Sequence, residues 1–352
     1  MVLTNDYGHG GDVYHNRVTL DFSANVNPLG TPEAVKRAVA QSAEKLAAYP
    51  DPYCAPLRQK LAAVHGVQPE DIVCGNGAAE LIFQFAAALR PKRALLPVPS
   101  FSEYDAALAS VGCETAYFPL ARETGFAVTE DLLAHITPET DALVLCTPNN
   151  PTGRSVAPEL LKKIRARCRE TGTWLLLDEC FLDLTDAGAE KSVIPALGAD
   201  EHCFVLRAFT KLYGMAGVRL GYAVCRDRAF LSALCRIAQP WNVSAPAQAA
   251  GEAALDCRDF VAETLSLIAE EKAYLLRSLR ALGIDVLPGD ANFLMLSGVP
   301  GLYDRLLRDY GILIRSCANY RGLGEGDARI AVRTHAENER LIAALREIYG
   351  HA

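Results

Sequence analysis

The sequence predicts an α/β protein: a large domain on a mostly parallel seven-stranded sheet, joined to a smaller α+β domain. Three observations predict it. Short apolar runs alternate with amphipathic stretches through the middle of the chain, the pattern changes after Pro246, and 352 residues suffice for two unequal units. The runs lie at 72–74, 94–98, 115–118, 142–146, 174–177, 203–206 and 220–224. Amphipathic stretches such as 159–169 and 230–238 separate them, so the sheet is expected to be covered on both faces. Residues 35–240 form this large domain. Beyond it, 247–282 contains no proline and reads as one long helix. Strand-like runs come next, at 293–296, 312–315 and 328–333. A closing helix at 336–349 starts behind Thr334 and Glu337, which have capping-box spacing. Residues 241–352 form the small domain, and residues 1–34 are expected to pack with it.

Half of the residues are apolar and 22% are charged, which excludes a disordered or collagenous chain. Lys and Arg total 35 against 42 Asp and Glu, a net charge of −7 with no basic tail. Nucleic-acid binding therefore has no electrostatic footing. No apolar stretch approaches the roughly 18–20 residues that span a bilayer, and no membrane role is expected. The first residues, Met1 to Tyr7, lack the layout of a signal peptide, so no leader is expected. Eleven cysteines are scattered with no C-x-x-C spacing, so no metal site is encoded locally. Several, such as Cys146 and Cys225, sit inside apolar runs and read as small core residues. A reducing cytoplasm is the expected compartment.

Ligands of open α/β sheets gather at the carboxyl ends of the strands, so the residues just beyond each run carry the chemistry. Gly75-Asn76-Gly77-Ala78-Ala79 succeeds the first run and leads into a helical pattern. It reads as a turn, and as a helix start it offers N–H groups to an anion such as phosphate. After residue 146, Asn149-Asn150-Pro151-Thr152-Gly153 is a proline-set turn in which the Asn150 amide can donate to a ligand. Asp178 ends an apolar run, where a carboxylate is costly to bury unless a cation pairs with it. Lys211 comes after the 203–206 run, and Arg219 stands eight residues on. Singly, each has a bland reading. Together they are a lysine for a Schiff base, a carboxylate for a pyridinium nitrogen, a donor for a phenolic oxygen and a cation for a phosphate. That set suits pyridoxal 5′-phosphate.

The chain resembles the fold-type I pyridoxal-phosphate enzymes of aminotransferase class I/II over essentially its whole length. Their signature is N-P-x-G, D-E-x-[YF], and S/T-K with Arg eight residues later. Asn150-Pro151-Thr152-Gly153, Asp178-Glu179-Cys180-Phe181 and Thr210-Lys211 with Arg219 match it. Within that superfamily the chain is similar to histidinol-phosphate aminotransferases and, more closely, to L-threonine-O-3-phosphate decarboxylases of cobalamin biosynthesis. The second likeness rests on His9-Gly10-Gly11, the 21–30 run, Phe181 and the 314–320 run.

The resemblance implies roles residue by residue. Lys211 would hold the cofactor and return a proton to the substrate Cα. Asp178 would pair with the ring N–H, and Phe101 would stack on the ring. The cofactor phosphate would take the N–H groups of Ala78 and Ala79, the Thr210 hydroxyl and Arg219. Asn150 would serve the phenolic oxygen alone, because Phe181 stands where aminotransferases usually have a tyrosine. Tyr49 would reach the phosphate of a neighbouring subunit, which implies a homodimer. Arg329 would clamp the α-carboxylate, with Asn25 also on the substrate side. Arg315 and His9 would hold the substrate's own phosphate. Arg333 is open between a substrate contact and a structural ion pair. Ala208 departs from the usual Ser or Thr, so one phosphate hydrogen bond is missing or replaced by water, a net loss of about 1 kcal/mol.

The implied activity is decarboxylation of L-threonine O-3-phosphate to (R)-1-amino-2-propanol O-2-phosphate, for the nucleotide loop of a corrinoid. L-Serine O-phosphate would give ethanolamine phosphate, and no residue in the sequence separates these two substrates. The alternative is histidinol-phosphate:2-oxoglutarate aminotransfer, against which Phe181 and the 315–320 run count. A non-catalytic regulator on the same fold is a third reading, weakened by the intact Lys211, Asp178 and Arg219.

Overall fold

Leucine- and valine-rich runs bury both of their faces in this chain, and the sheet they form is the centre of the fold. The computed structural model describes residues 8–186, 188–199 and 201–350. The stretch Met1 to Tyr7, and with it the start of the expected N-terminal segment, lies outside the described residues. After β1 (Leu20–Asp21) come β2 (Ile72–Gly75), β3 (Arg93–Val98), β4 (Glu114–Pro119), β5 (Ala142–Cys146), β6 (Trp174–Asp178), β7 (Cys203–Ala208) and β8 (Gly221–Val224). These last seven make one sheet in the order β2-β8-β7-β6-β5-β3-β4. Strands β3 to β7 pair parallel, and β8 runs antiparallel to both β2 and β7.

Side chains of a strand alternate between its faces, and the two faces here carry separate cores. Leu143, Leu145, Leu175, Leu177 and Val205 enter one cluster. Their neighbours Val144, Cys146, Trp174, Leu176, Phe204 and Leu206 enter the other. Each fully buried Leu or Val contributes roughly 1.5–3 kcal/mol. With both faces closed by helices, ligands can reach the sheet only at the strand ends.

The small unit holds β9 (Asp285–Leu287), β10 (Phe293–Ser297), β11 (Ile312–Leu313), β12 (Arg315–Ser316) and β13 (Ala328–Ala331). Its antiparallel sheet has the order β12-β13-β10-β9. The N-terminal segment joins it: Leu20 pairs with Ile312, the Ala331 N–H donates to the Phe22 carbonyl, and Phe22 is buried in the small core. The capping box at Thr334 and Glu337 is formed at the start of the closing helix, His335–Tyr349.

Three expectations are corrected. The single helix expected over 247–282 is two, Ala245–Ala254 and Arg258–Ala281. The first buries Ala247, Ala250 and Ala254 in the large core, whereas the second sends Leu275 and Leu279 to the small one. One straight helix cannot serve both. Helix Ala245–Ala254 thus lies with the large sheet, beyond the boundary expected at 240. The 312–315 run is also two strands, because β11 pairs with β1 while β12 pairs with β13. The short strand β9 and helix Leu302–Tyr310, which lies between left-handed Gly301 and Gly311, were not foreseen.

Behind the carboxyl ends of β6 and β7 lies a buried ion network. Arg207, 2% exposed, donates to Glu179 at 2.9 Å and also to Asp183. Glu179 accepts two further hydrogen bonds, from the Ser192 hydroxyl and the Val193 N–H. Burial pushes the Glu179 carboxyl up, and Arg207 is the main influence holding it down. Removing one partner of such a pair strands the other. Arg207→Met is expected to cost about 3–5 kcal/mol, read from urea unfolding of cofactor-free protein.

Candidate active site

Between the carboxyl ends of β5, β6 and β7 and the small sheet lies a cavity of about 340 Å³. The large sheet supplies Asn150 beyond β5, Asp178 and Phe181 at the end of β6, and Ala208, Thr210 and Lys211 at and after β7. Ala78, Ala79, Phe101 and Arg219 complete that wall. The small sheet brings Arg315 and Arg329, and the N-terminal segment brings His9 and Asn25. Of the residues singled out for ligand binding, Tyr49 alone is absent from the cavity wall.

Asp178 is 6% exposed, and among the described residues it is the one acidic side chain lining the cavity. Its Oδ2 accepts from the Tyr104 hydroxyl at 2.6 Å and its Oδ1 from the Cys180 N–H at 2.8 Å. It has no ion pair among the described residues, so the cation its burial calls for is left to a ligand. Lys211 lies in the short helix Phe209–Leu212. Burial, then the charge of Arg329, lowers its amine to about 8. The amine lies 5.6 Å from the centre of the Phe181 ring.

At the start of helix Gly77–Leu89, Ala78 and Ala79 present first-turn N–H groups to the cavity. Gly77 has φ +80°, and a Cβ there would lie 2.5 Å from Arg219 Nη2. A side chain there would be strained by that φ and would displace the guanidinium from the helix start. Arg219 is itself left-handed, with φ 60° and ψ 70°, a strained conformation held at the site.

On the opposing wall, Arg329 donates to the Asn150 Oδ1 and, at 2.7 Å, to the Ser23 carbonyl, while its Nε is buried without a partner. The Tyr320 hydroxyl donates to the same Asn150 oxygen at 3.3 Å, which leaves the Asn150 Nδ2 for a ligand. Arg315 donates to the Ser316 carbonyl and to Asn319 Oδ1, and the Asn319 amide donates in turn to the Gly8 carbonyl. Among the described residues none of Arg219, Arg315 and Arg329 is paired with a carboxylate. Both side-chain polar atoms of Asn25 are buried without a partner. His9 lies 2.9 Å from a Glu103 oxygen and 5.8 Å, ring to ring, from Phe101. Gly10 runs so close to Ser23 that a Cβ would strike its carbonyl, and the Gly11 N–H donates to the Ser23 hydroxyl at 2.7 Å.

Two residues stand elsewhere. Tyr49 is 79% exposed and stacks on Trp241 with ring centres 4.4 Å apart. Arg333 donates to Glu337 at 2.8 Å, so the open choice falls on the structural ion pair. Tyr104 escaped sequence reasoning, and Gly10 and Tyr320 entered it only as members of the 9–11 and 314–320 stretches, with no role of their own. Tyr104 lies three residues past Phe101, one helical turn into Ser102–Ser110, and that spacing was the available signal.

The cavity fits pyridoxal 5′-phosphate. It offers a buried carboxylate lacking a cation, a partly neutral lysine, and a helix start crossed by an arginine. Residues 17–345 match the family described as aminotransferase class I and II, and the chain belongs to that family. It is 42% identical over 359 residues to the threonine-phosphate decarboxylase of Salmonella typhimurium, spanning 99% of this chain and 98% of that one. The crystal structure of L-threonine-O-3-phosphate decarboxylase from Porphyromonas gingivalis aligns with a TM-score of 0.82 at 26% identity, over 94% of this chain and 99% of that one. Histidinol-phosphate aminotransferase from Sinorhizobium meliloti, in complex with pyridoxal-5′-phosphate, aligns with a TM-score of 0.83 at 26% identity, over 95% and 91%. Fold similarity thus does not choose between the two reactions. It does agree with the cavity on the cofactor: the chain is a pyridoxal-phosphate-dependent enzyme.

With its amine near 8, Lys211 is roughly one-tenth neutral at pH 7 and mostly neutral at pH 9. Covalent cofactor uptake by the cofactor-free protein is therefore expected to accelerate between those pH values, monitored by stopped-flow absorbance. Lys211→Ala should show no covalent uptake at either. Gly10→Ala is expected to push the N-terminal segment off Ser23. It should raise KM for a phosphorylated amino acid about tenfold, equivalent to roughly 1.4 kcal/mol, with cofactor affinity unchanged.

Proposed function

We propose that the chain decarboxylates L-threonine O-3-phosphate to (R)-1-amino-2-propanol O-2-phosphate, the aminoalkyl linker of a corrinoid nucleotide loop. The observation that carries this reading is the pair Arg315 and Arg329 on the small-sheet wall, apart from the cofactor end at Ala78, Ala79 and Arg219. A substrate with both a carboxylate and a phosphate suits two such guanidinium groups. The full-length similarity to a threonine-phosphate decarboxylase supports the same choice.

When bound, pyridoxal 5′-phosphate supplies an electron-poor ring that takes up the electron pair left at Cα when a bond there breaks. Asp178 would hold the proton on the ring nitrogen, and Phe101 would pack against the ring. Ala78, Ala79, Thr210 and Arg219 hold the cofactor phosphate, with Ala208 contributing no hydroxyl. Asn150, fixed through its Oδ1 by Arg329 and Tyr320, offers its Nδ2 to the phenolic oxygen. Arg329, with Asn25 beside it, binds the α-carboxylate, and Arg315 with His9 binds the substrate phosphate. Arg329 and Arg315 would thus hold both anionic ends of the substrate and orient its Cα between them. Lys211 would supply the proton to Cα.

Tyr49 is assigned to the site of a second copy in a homodimer, which fits its exposure and its stacking on the exposed Trp241. Eleven unpaired cysteines suit a reducing compartment, the cytoplasm. No helix among the described residues is long and apolar enough to cross a membrane.

The test is product analysis of the cofactor-loaded protein with L-threonine O-phosphate, with L-serine O-phosphate, and with histidinol phosphate plus 2-oxoglutarate. Carbon dioxide and an aminoalkyl phosphate are expected, fastest from the threonine ester. Glutamate from the third mixture, with no carbon dioxide from the first two, would overturn the proposal in favour of the aminotransferase.

A further inference from the structure

We propose that Tyr104 is a positioning residue for the cofactor ring: its hydroxyl, donating to Asp178, fixes the carboxylate that faces the ring nitrogen and so helps keep the shared proton on that nitrogen. The proposal rests on the assignment of Asp178 to that nitrogen.

The geometry is that of a charge-assisted hydrogen bond. Tyr104 is 1% exposed, and its hydroxyl lies 2.6 Å from Asp178 Oδ2, within the short range of O–H···O⁻ bonds. The Cys180 N–H takes the other oxygen at 2.8 Å, so each carboxylate oxygen has one fixed donor from the protein. Burial and the charge of Asp178 keep the phenol protonated well above the usual tyrosine range, so it acts only as a donor. The two neighbouring thiols, Cys146 and Cys180, are also pushed up, foremost by burial and next by Asp178, and add no charge.

Hydrogen bonds to an ionised carboxylate favour its charged form and lower its basicity. Between a ring nitrogen and a carboxylate that share one proton, the less basic carboxylate leaves the proton on nitrogen. Without the Tyr104 hydroxyl, Oδ2 loses its donor in a buried setting and Asp178 draws the proton toward itself. The ring then withdraws electrons less strongly. Tyr104 also ties this control to ring packing, since it meets Phe101 edge-on with ring centres 5.6 Å apart. Phenylalanine at position 104 keeps that contact and removes only the donor.

The experiment compares wild type, Tyr104→Phe and Asp178→Asn, each loaded with pyridoxal 5′-phosphate carrying ¹⁵N in its ring. The ring ¹⁵N chemical shift, kcat and KM are measured. Tyr104→Phe is expected to move the resonance toward that of an unprotonated pyridine. Its kcat should fall by roughly ten- to a hundredfold, the scale of a hydrogen bond to a charged group, with KM little changed. A wild-type resonance in Tyr104→Phe, alongside a displaced one in Asp178→Asn, would make Tyr104 a packing residue only and overturn the proposal. A wild-type resonance in both would instead remove Asp178 from the ring nitrogen, and the proposal with it. Should Tyr104→Phe fail to hold the cofactor, 3-fluorotyrosine at position 104 keeps the shape and strengthens the donor. It should leave the resonance at or beyond the wild-type protonated value, and movement the other way would overturn the proposal.

Discussion

Positive charge facing a cavity with too little negative charge to match it is the constraint on which this structure turns. Lys211, Arg219, Arg315 and Arg329 all line one space, and among the described residues Asp178 is the only acidic side chain that lines it with them. Removing cations from water without partners is costly. The protein limits that cost in two ways. Backbone and amide oxygens take up part of each guanidinium, as Ser23 and Asn150 do for Arg329 and Asn319 does for Arg315. The Lys211 amine, which can shed its proton, is lowered to about 8. What remains is an affinity for anions, so a bound phosphate or carboxylate stabilises the fold that binds it.

The rest of the architecture keeps those charges in place. A sheet sealed on both faces offers ligands only its strand ends, and Asp178, Lys211 and Asn150 lie at three of them. Arg207 and Glu179, buried just behind, lock the ends of β6 and β7 to each other. The small sheet contributes its two arginines from paired positions, Arg315 of β12 opposite Arg329 of β13. The N-terminal segment joins both units: Phe22 is built into the small core, the Asn27 N–H donates to the Lys211 carbonyl, and Gly10 packs on Ser23. The cavity is therefore assembled from parts of the chain more than three hundred residues apart, His9 and Arg329 among them.

Much of this is legible in the chain itself. The apolar runs that form β5 and β6 are short, unbroken and free of proline, each too short for a helix of its own. Lys211, Asp178, Asn150 and Arg219 are legible because each comes at or after a strand or a turn, where local chemistry marks the ligand end. Legibility fails where two distant surfaces decide the matter. The 247–282 stretch has helical character throughout, and only the two cores it serves explain its break after Ala254. Tyr104 looks like an ordinary helix residue until β6 places Asp178 2.6 Å from its hydroxyl. Arg333 stays unassigned in the sequence, because its partner Glu337 lies in a capping box whose folded geometry sets the contact.

By itself the sequence determined the fold class, the seven strand runs of the large sheet, and the residue types that a pyridoxal-phosphate site requires. Those come from periodicity, turn chemistry and short motifs, all of them local. Tertiary structure alone decided which cations go unpaired, which carboxylate oxygen the Tyr104 hydroxyl occupies, and how Arg315 and Arg329 share a wall with Lys211. The reason is physical: pairing, burial and the lowered amine of Lys211 depend on distances between groups that the sequence separates by tens to hundreds of residues. Those distances exist only once both cores have closed.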